Sequence, residues 1–300
     1  MYCVGGTRCS GWGKIGRLKH FYLIANEVKD PEGIYTERIA EYLEAHGGKV
    51  TCIGNADCVG IDAIVGRRCD VKETECVLVL GGDGTLLRAA RNMIDRDIPL
   101  LGINLGTLGY LAEVEIGAME SALDKLLDDD YTREERMMLA GRVKKQDRSE
   151  ENFALNDIVI SRCGSLQILT IHIYVNGQFL NSFSADGMIV ATPTGSTGYN
   201  MSAGGPVVEP SANLLLLTPI CPHTLSTRSI VLAPEDEVRI EIPQGRDGRM
   251  QAVEANFDGS HRIGLETGDS IVVRRAAKTT GILKLNTESF LAVLHKKMSE

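Results

Sequence analysis

The stretch CVLVLGGDGTLLRAARNMI, residues 76–94, passes directly from a strand pattern into a helix pattern. Its first five residues are continuously apolar, which is typical of a parallel strand that is buried on both faces. From Leu86 onwards the apolar residues recur at helical spacing, so we predict a helix that begins near Thr85. The GGDGT motif at 81–85 therefore occupies a strand-to-helix turn, the joint from which parallel α/β sheets are built.

An Asp-Gly pair is also common in the tight turns of β-hairpins, so a hairpin is the alternative for this segment. A hairpin requires a second alternating strand after the turn, whereas a helical pattern follows Thr85. The chain contains no GxxxxGK[ST] phosphate loop, and the motif is not a GxGxxG dinucleotide fingerprint.

The GGDGT turn has the chemistry of an anion site with one carboxylate in it. Glycines let the backbone approach a ligand closely, and the free N–H groups at a helix N-terminus favour phosphate. Asp83 would repel a phosphate unless the carboxylate has a function there. Two functions fit: holding a divalent cation, or taking the proton from an attacking hydroxyl.

Composition limits the class of protein. The 300 residues are 43% hydrophobic and 24% charged, as in globular proteins, with a net charge of -8. The acidic balance argues against binding to nucleic acid or to a membrane surface. The eight cysteines lack metal-ligand spacing, so we predict reduced, mostly buried thiols in a cytoplasmic protein. Residues 1–17 are predicted to be a disordered leader or an upstream start.

The pattern of elements changes along the chain and predicts two domains. Residues 18–133 alternate strand and helix patterns, as in a Rossmann-like α/β domain with a parallel sheet. Residues 134–275 contain many short strands separated by turns, as in an antiparallel β-sandwich. The tail at 276–300 regains helical spacing and is predicted to pack back on the first domain.

A second glycine-rich stretch, TPTGSTGYNMSAGG at 192–205, is dense in hydroxyl groups. Its backbone and short side chains could bind a planar polar ligand on which Tyr199 stacks, although an ordinary polar loop has the same composition. Asn156-Asp157 and Asp186-Gly187 each flank a predicted strand, and residues 104–110 follow a strand at its carboxyl end. Open α/β sheets bind ligands at such ends, so together these segments predict one site shared by two domains.

Taken together, these motifs resemble those of the NAD kinases over roughly residues 19–275. GGDGT alone is shared with diacylglycerol-type lipid kinases, and a close variant occurs in phosphofructokinases. The segments at 104–111 and 192–205 are what single out the NAD kinases. The matching segments, in family order, are GGDGT at 81–85, NLGTLGYL at 104–111, ND at 156–157, DG at 186–187, TPTGSTGYNMSAGG at 192–205, CPHTLSTRSIVL at 221–232 and FDG at 257–259.

The resemblance implies an enzyme that phosphorylates the adenosine-ribose 2′-hydroxyl of NAD to give NADP. The donor is ATP, or in some members inorganic polyphosphate. Mg²⁺ is expected to be held mainly through nucleotide phosphates, so no protein metal ligand is predicted. The family fold, an α/β domain plus a β-sandwich in homodimers or tetramers, agrees with the pattern described above.

The resemblance also assigns roles to individual residues. Asp83 is the base that orients the hydroxyl, and Asp157 holds ribose hydroxyls. Asp186, from the same or a neighbouring subunit, and Tyr199 contact the nicotinamide end. The remaining assigned residues bind either phosphates (Gly81, Gly82, Gly84 and Thr85) or the adenine side (Asn156, Thr197 and Ser202), with Gly198 in the same loop.

Three positions depart from the usual family pattern. Gly198 stands where alanine is common, and Ser260 stands where glutamine often follows the FDG turn. Thr85, in place of asparagine after GGDG, is associated with a looser choice of phosphoryl donor. Two alternative functions remain at this point: a lipid or other small-molecule kinase built on the same turn, and a dinucleotide sensor without turnover.

Overall fold

The structure is a computed structural model that describes residues 18–55, 73–106, 109–164, 168–223, 228–245, 248–285 and 288–299, with the backbone alone for 51–55. The leader predicted at 1–17 lies outside the described residues. No helix within the described part of the chain is both long and apolar enough to cross a membrane.

The first part of the chain alternates strands with helices. Four of its strands pair in parallel in the order β2-β1-β3-β4, and β5 pairs with β4. The elements are β1 (His20–Ala25), α1 (Ile34–Ala45), β2 (Lys49–Asn55), β3 (Cys76–Gly81), α2 (Asp83–Asn92), β4 (Leu100–Asn104), β5 (Val114–Glu115) and α3 (Met119–Leu127).

The second part is mostly antiparallel β structure. Its elements are β6 (Thr132–Lys144), β7 (Ser149–Ala154), β8 (Asp157–Arg162), β9 (Leu169–Val175), β10 (Gln178–Ala185), β11 (Gly187–Ala191), α4 (Tyr199–Ser202), β12 (Leu215–Ile220), β13 (Ile230–Leu232), β14 (Val238–Glu241), β15 (Ala252–Phe257), β16 (His261–Glu266), β17 (Ser270–Lys284) and α5 (Phe290–Met298).

These strands form two sheets. The six-stranded sheet has the order β13-β12-β11-β8-β15-β16. The larger sheet, which includes the parallel strands, runs β10-β9-β14-β17-β4-β3-β1-β2, with β6 beside β17 and β7 beside β6. The long strand β17 joins the two parts, because it pairs antiparallel with β6 and β14 and, at Ile282, parallel with Leu100 of β4. One continuous sheet therefore passes through the predicted boundary at residue 276.

The burial of β3 explains why its sequence is continuously apolar. Val77 and Val79 pack with α2 in one core cluster, whereas Leu78 and Leu80 pack with α1 and α3 in another. All six residues of the strand are buried. A strand that is covered by helices on both faces has no polar side, so its side chains do not alternate.

The predicted fold class, α/β plus antiparallel β, is confirmed, and the hairpin alternative at GGDGT is wrong because α2 follows the turn. The helix begins at Asp83, two residues before the predicted start. The stretch at 192–205 contains a short 3₁₀ turn, Thr194–Thr197, followed by α4. The expectation of mostly buried thiols is wrong for the described cysteines, because Cys163 and Cys221 are exposed and Cys76 is buried.

Candidate active site

The GGDGT turn is held closed by contacts within itself and to the end of β1. A Cβ atom at Gly81 would lie 2.4 Å from Thr85 Oγ1, so only glycine fits beside the buried threonine. Asn26 Nδ2 donates a hydrogen bond to the same Oγ1 at 3.1 Å. A Cβ atom at Gly84, in contrast, would meet nothing within 4 Å. The inner side of the turn is therefore fixed, and its outer side is open to a ligand.

The Asp83 carboxylate accepts three consecutive backbone N–H groups from the segment after β4. Tyr110 donates to Oδ2 at 2.8 Å, and Leu111 and Ala112 donate to Oδ1 at 3.3 and 3.2 Å. Gly109 packs against this carboxylate, because a Cβ atom there would lie 1.9 Å from Oδ1. The carboxylate thus has its own donors and joins the GGDGT turn to the 104–111 motif.

A cleft of about 370 Å³ opens between the N-terminal end of α2, the turn after β1 and the FDG turn. It is open to solvent and combines backbone, hydroxyl and charged groups. The lining residues are Asn26, Lys29, Gly82, Gly84, Thr85, Arg88, Asp258, Gly259 and Ser260. Three of the predicted phosphate-binding residues line this cleft, whereas Gly81 lies behind them as the last residue of β3.

The sequence did not single out the residues that the turn after β1 adds to the cleft. A Cβ atom at Gly82 would lie 3.2 Å from Lys29 Nζ, and one at Gly106 would lie 2.9 Å from it. The ammonium group therefore lies between the segments that follow β3 and β4. A polar loop carries no periodic signal, but the position of Asn26 directly after a buried strand could have drawn attention to it.

The predicted Asn156-Asp157 pair lies against the glycine-rich segment. A Cβ atom at Gly195 would lie 2.1 Å from the Asn156 backbone oxygen. A Cβ atom at Gly198 would lie 3.3 Å from Asn156 Nδ2 and 3.9 Å from Asp157 Oδ2. The structure thus brings together residues that are about forty positions apart in the sequence. Asn156 Oδ1 is buried and has no hydrogen-bond partner within the described residues.

Asp258 of the FDG turn clamps the Asn156-Asp157 pair from behind. Its carboxylate accepts the backbone N–H groups of Leu155, Asn156 and Asp157 at 2.8, 2.8 and 3.2 Å. The residue has a left-handed backbone, with φ of 49°. Arg91 of α2 donates to the backbone oxygen of Phe257 at 3.2 Å and to Ser260 Oγ at 2.8 Å. Helix α2 therefore links the GGDGT turn to the FDG turn.

Burial makes the carboxyl groups of Asp157 and Asp258 weaker acids than usual. Burial and the nearby charge of Asp258 raise the pKa of Asp157 from its usual 3.8 to about 7. Burial also raises the pKa of Asp258 to about 6, although its three backbone N–H donors and Arg91 act in the opposite direction. Near neutral pH, therefore, Asp157 readily gains or loses a proton.

Hydrogen bonds hold the segment at 192–208 firmly in place. Asn200 donates to the backbone oxygens of Ser196 and Pro206 at 3.3 and 3.0 Å, and it accepts from Thr218 Oγ1 at 2.7 Å. Ser196 Oγ donates to the oxygen of Val208 at 3.1 Å and accepts from the N–H group of that residue at 3.0 Å. The polar residues of this stretch therefore hydrogen-bond to one another and to its backbone. The stretch is more ordered than an ordinary polar loop.

The other predicted site residues are placed less tightly. Thr197 donates to the oxygen of Thr194 at 3.4 Å, next to Gly198. Tyr199 is 47% exposed and Ser202 is exposed, so both are accessible to a ligand. Asp186 lies between β10 and β11, where its carboxylate is 3.4 Å from Arg162 Nη2.

Two protein-family models match this chain. The ATP-NAD kinase N-terminal domain matches residues 21–131, and the ATP-NAD kinase C-terminal domain matches residues 155–285. The NAD kinase of Agathobacter rectalis is 47% identical over 285 residues, which cover 94% of this chain and 99% of the relative. The NAD kinase of Lachnospira eligens is 43% identical over 295 residues, which cover 94% of this chain and 100% of the relative.

Solved structures share the fold. Yeast NADH kinase, crystallised with NADH, superposes with a TM-score of 0.81 at 24% identity, covering 95% of this chain and 89% of the yeast chain. An NAD kinase from Archaeoglobus fulgidus in complex with ATP gives a TM-score of 0.72 at 24% identity, covering 94% of this chain and 99% of the other.

Proposed function

The chain belongs to the NAD kinase family, and on that basis we propose that its reaction takes place in the cleft beside the GGDGT turn. It is an enzyme, a phosphotransferase that phosphorylates the adenosine-ribose 2′-hydroxyl of NAD with ATP and so makes NADP. The observation that carries the location is that one cleft joins the N-terminal end of α2 to the FDG turn, whose Asp258 clamps Asn156-Asp157. The lipid-kinase and sensor alternatives find no support in the relatives.

Asp83 is the group that accepts the proton of the 2′-hydroxyl. An ionised carboxylate has about four lone-pair positions, and backbone N–H groups occupy three of them at Asp83. The remaining position suits a hydroxyl donor. The three N–H groups hold the carboxylate in one orientation, which lowers the cost of positioning the nucleophile. A neutral hydroxyl attacks phosphorus poorly until a base accepts its proton.

The phosphates of ATP lie over the N-terminal end of α2. Gly82, Gly84 and Thr85 line the cleft there, and the first N–H groups of a helix have no intrahelical partner. Gly81 contributes by allowing Thr85 to pack beneath the turn. Phosphoryl transfer has a loose, anionic transition state, so fixed N–H donors stabilise it without covalent chemistry.

Mg²⁺ would enter with the donor phosphates. Within the described ranges, no group of three or more His, Cys, Asp or Glu side chains could hold a metal ion. The Asp83 carboxylate, which is already hydrogen bonded to backbone, suits a hydroxyl better than a cation. When bound, the ion neutralises charge on the transferred phosphoryl group.

The adenosine end of NAD binds where Asn156, Asp157 and Gly198 meet. The buried Asn156 Oδ1 lacks a partner among the described residues, and the exocyclic amino group of adenine is a donor of the right kind. Asp157 accepts hydrogen bonds from the ribose hydroxyls, which favours its ionised form. Thr197 and the exposed Ser202 are proposed to complete the adenine side.

Tyr199 and Asp186 are assigned to the nicotinamide end, and the 47% exposure of the tyrosine leaves its ring free to stack. Use of polyphosphate, a homodimeric or tetrameric state and a cytoplasmic location follow from the family resemblance alone.

An assay of NADP formation tests the proposed reaction. The protein is incubated with NAD, ATP and Mg²⁺, and NADP is measured with an NADP-specific dehydrogenase. We expect saturable NADP formation that a metal chelator abolishes. Parallel arms replace ATP with polyphosphate, or NAD with diacylglycerol. NAD binding with no NADP formed from either ATP or polyphosphate would contradict the NAD kinase activity and favour a dinucleotide sensor. Phosphorylated diacylglycerol would favour a lipid kinase.

A further inference from the structure

We propose that Lys29 binds the terminal phosphates of the phosphoryl donor, as a cation supplied from outside the GGDGT motif. The inference rests on the proposed function of the cleft, which Lys29 lines together with Gly82 and Gly84. It goes beyond that function because it assigns the Lys29 side chain to the phosphoryl donor and not to NAD.

The first observation is the position of the ammonium group above three adjacent strand ends. Lys29 follows β1, and its Nζ would be 3.2 Å from a Cβ atom at Gly82, after β3, and 2.9 Å from one at Gly106, after β4. The three strands are neighbours in the sheet. The carboxyl ends of parallel strands are where open α/β sheets bind ligands. Because Gly82 and Gly106 have no side chains, the ammonium group stays accessible from the cleft.

The second observation is that the backbone of Lys29 is anchored on both sides. Asn26 Oδ1 accepts the N–H groups of Val28 and Lys29 at 3.0 and 3.3 Å, while Asn26 Nδ2 bonds to Thr85 of the motif. On the other side, the Asp30 carboxylate accepts from the N–H and hydroxyl groups of Thr36 at 2.9 and 2.6 Å. The turn is thereby fixed to the phosphate site before any ligand arrives.

The third observation concerns charge. Within the described residues the Lys29 ammonium makes no ion pair, and Asp258, the carboxylate that lines the same cleft, already accepts three backbone N–H groups. An exposed cation next to a helix N-terminus creates a positive field that attracts a polyanion. A lysine on a flexible stem suits this role, since it can follow a phosphoryl group that moves between donor and acceptor.

The cleft favours the donor over the diphosphate of NAD. The residues assigned to the adenosine end of NAD, Asn156, Asp157 and Thr197, do not line the cleft that contains Lys29. The cleft reaches this pair through Asp258, which lines it and accepts the backbone N–H groups of Asn156 and Asp157. The Lys29 side of the cleft is therefore left for the chain of phosphates that delivers the phosphoryl group.

The test compares Lys29→Ala and Lys29→Arg with Lys49→Ala. Lys49 is an exposed lysine at the opposite, amino end of β2 and controls for the loss of one charge. We expect Lys29→Ala to raise KM for ATP about tenfold or more, with KM for NAD changed less than about twofold. The arginine variant should recover much of this loss, and the control should match wild type.

Two outcomes would overturn the proposal: an unchanged KM for ATP, or a rise confined to KM for NAD, which would assign Lys29 to the diphosphate of NAD. A second readout does not depend on turnover. Inorganic tripolyphosphate should raise the melting temperature of wild type and of Lys49→Ala, but not of Lys29→Ala. An equal shift in all three would also contradict the role. If wild type itself makes no NADP, the proposed function fails, whereas the tripolyphosphate measurement still reports on Lys29.

Discussion

Asp83 and Asp258 use the same hydrogen-bonding device in two regions of the molecule. Each carboxylate accepts three consecutive backbone N–H groups, from residues 110–112 in the first case and from 155–157 in the second. Each thereby fixes one segment of the candidate site to the scaffold. The device alone does not identify a catalytic group, because it occurs at both sites.

The surroundings distinguish the two carboxylates. Asp83 is the first residue of α2, next to Gly84 on the open side of the GGDGT turn. Asp258 lies in a left-handed turn beside the buried Asp157 and the guanidinium of Arg91, and burial raises its pKa to about 6. From this difference we propose that Asp83 accepts the proton and that Asp258 positions the segment at 155–157. The following substitutions test that division.

Gly109→Ala should have the largest effect among substitutions that keep both carboxylates. The added Cβ would overlap Asp83 Oδ1 at 1.9 Å, so either the carboxylate or the 109–112 backbone must move. A displacement of about 1 Å at a catalytic group costs about 10²-fold in rate, and we expect a loss of that order in kcat. Steady-state kinetics with saturating ATP and NAD measures it. Gly264→Ala, where a Cβ would meet nothing within 4 Å, is the matched control; equal kcat in the two variants would contradict the prediction.

Asp258→Asn should act on stability and on NAD binding more than on the chemical step. The amide turns one acceptor into a donor that faces backbone N–H groups, so at least one of the three hydrogen bonds is lost. We expect unfolding in urea to be easier by about 1–3 kcal/mol and KM for NAD to rise several-fold. A loss of kcat as large as that of an Asp83 variant, at unchanged KM for NAD, would break the comparison.

The pH dependence of stability should report the two raised carboxyl pKa values. A folded-state pKa above the unfolded one means that the folded protein binds the proton more tightly. The resulting stability is fully present below the usual value of 3.8 and is lost as the pH rises through about 6 for Asp258 and about 7 for Asp157. From these two groups we expect the free energy of unfolding to fall between pH of about 5 and about 7.5.

Asp157→Asn isolates this effect. Because asparagine does not titrate, the fall in unfolding free energy over the same interval should be smaller in the variant than in wild type. Urea unfolding at the two pH values measures both slopes. Identical slopes would show that Asp157 does not carry the shifted pKa.

Gly198→Ala should have the smallest effect. A Cβ atom there would lie 3.3 Å from both Asn156 Nδ2 and the backbone oxygen of Gly195, two tight contacts that a shift of a few tenths of an ångström relieves. We expect KM for NAD to change less than about threefold, with kcat unchanged. A tenfold rise would mean that Gly198 itself approaches the dinucleotide.

How much of this site could be read from the sequence depended on periodicity and on local motifs. The strand, turn and helix around GGDGT were predictable because a doubly covered strand and an amphipathic helix leave distinct patterns. Strand β17 was harder to predict, since its fifteen residues include charged positions and no sharp alternation. Its pairing with both β6 and β4 depends on contacts far apart in the chain.

Lys29 and Asp258 show a second limit on what the sequence alone predicts. Lys29 belongs to a polar turn without a motif, and its approach to Gly82 follows only from the adjacency of β1 and β3 in the sheet. Asp258 belongs to the FDG motif, but its hydrogen bonds to residues 155–157 require that β15 lie beside β8. Local motifs therefore identify the residues within them, whereas a role that depends on the order of strands leaves no signal in the sequence.

The most direct test of the division between the two aspartates is a single-turnover measurement of NADP formation with Asp83→Asn and Asp258→Asn. Saturating NAD and ATP remove differences in binding, and the same substitution disturbs the same kind of N–H clamp in both variants. We predict that the rate of the chemical step falls roughly 10²-fold or more in Asp83→Asn, with NAD binding largely kept, and less than about tenfold in Asp258→Asn. Equal losses in the two variants would show that the N–H clamp, and not proton acceptance by Asp83, limits the reaction.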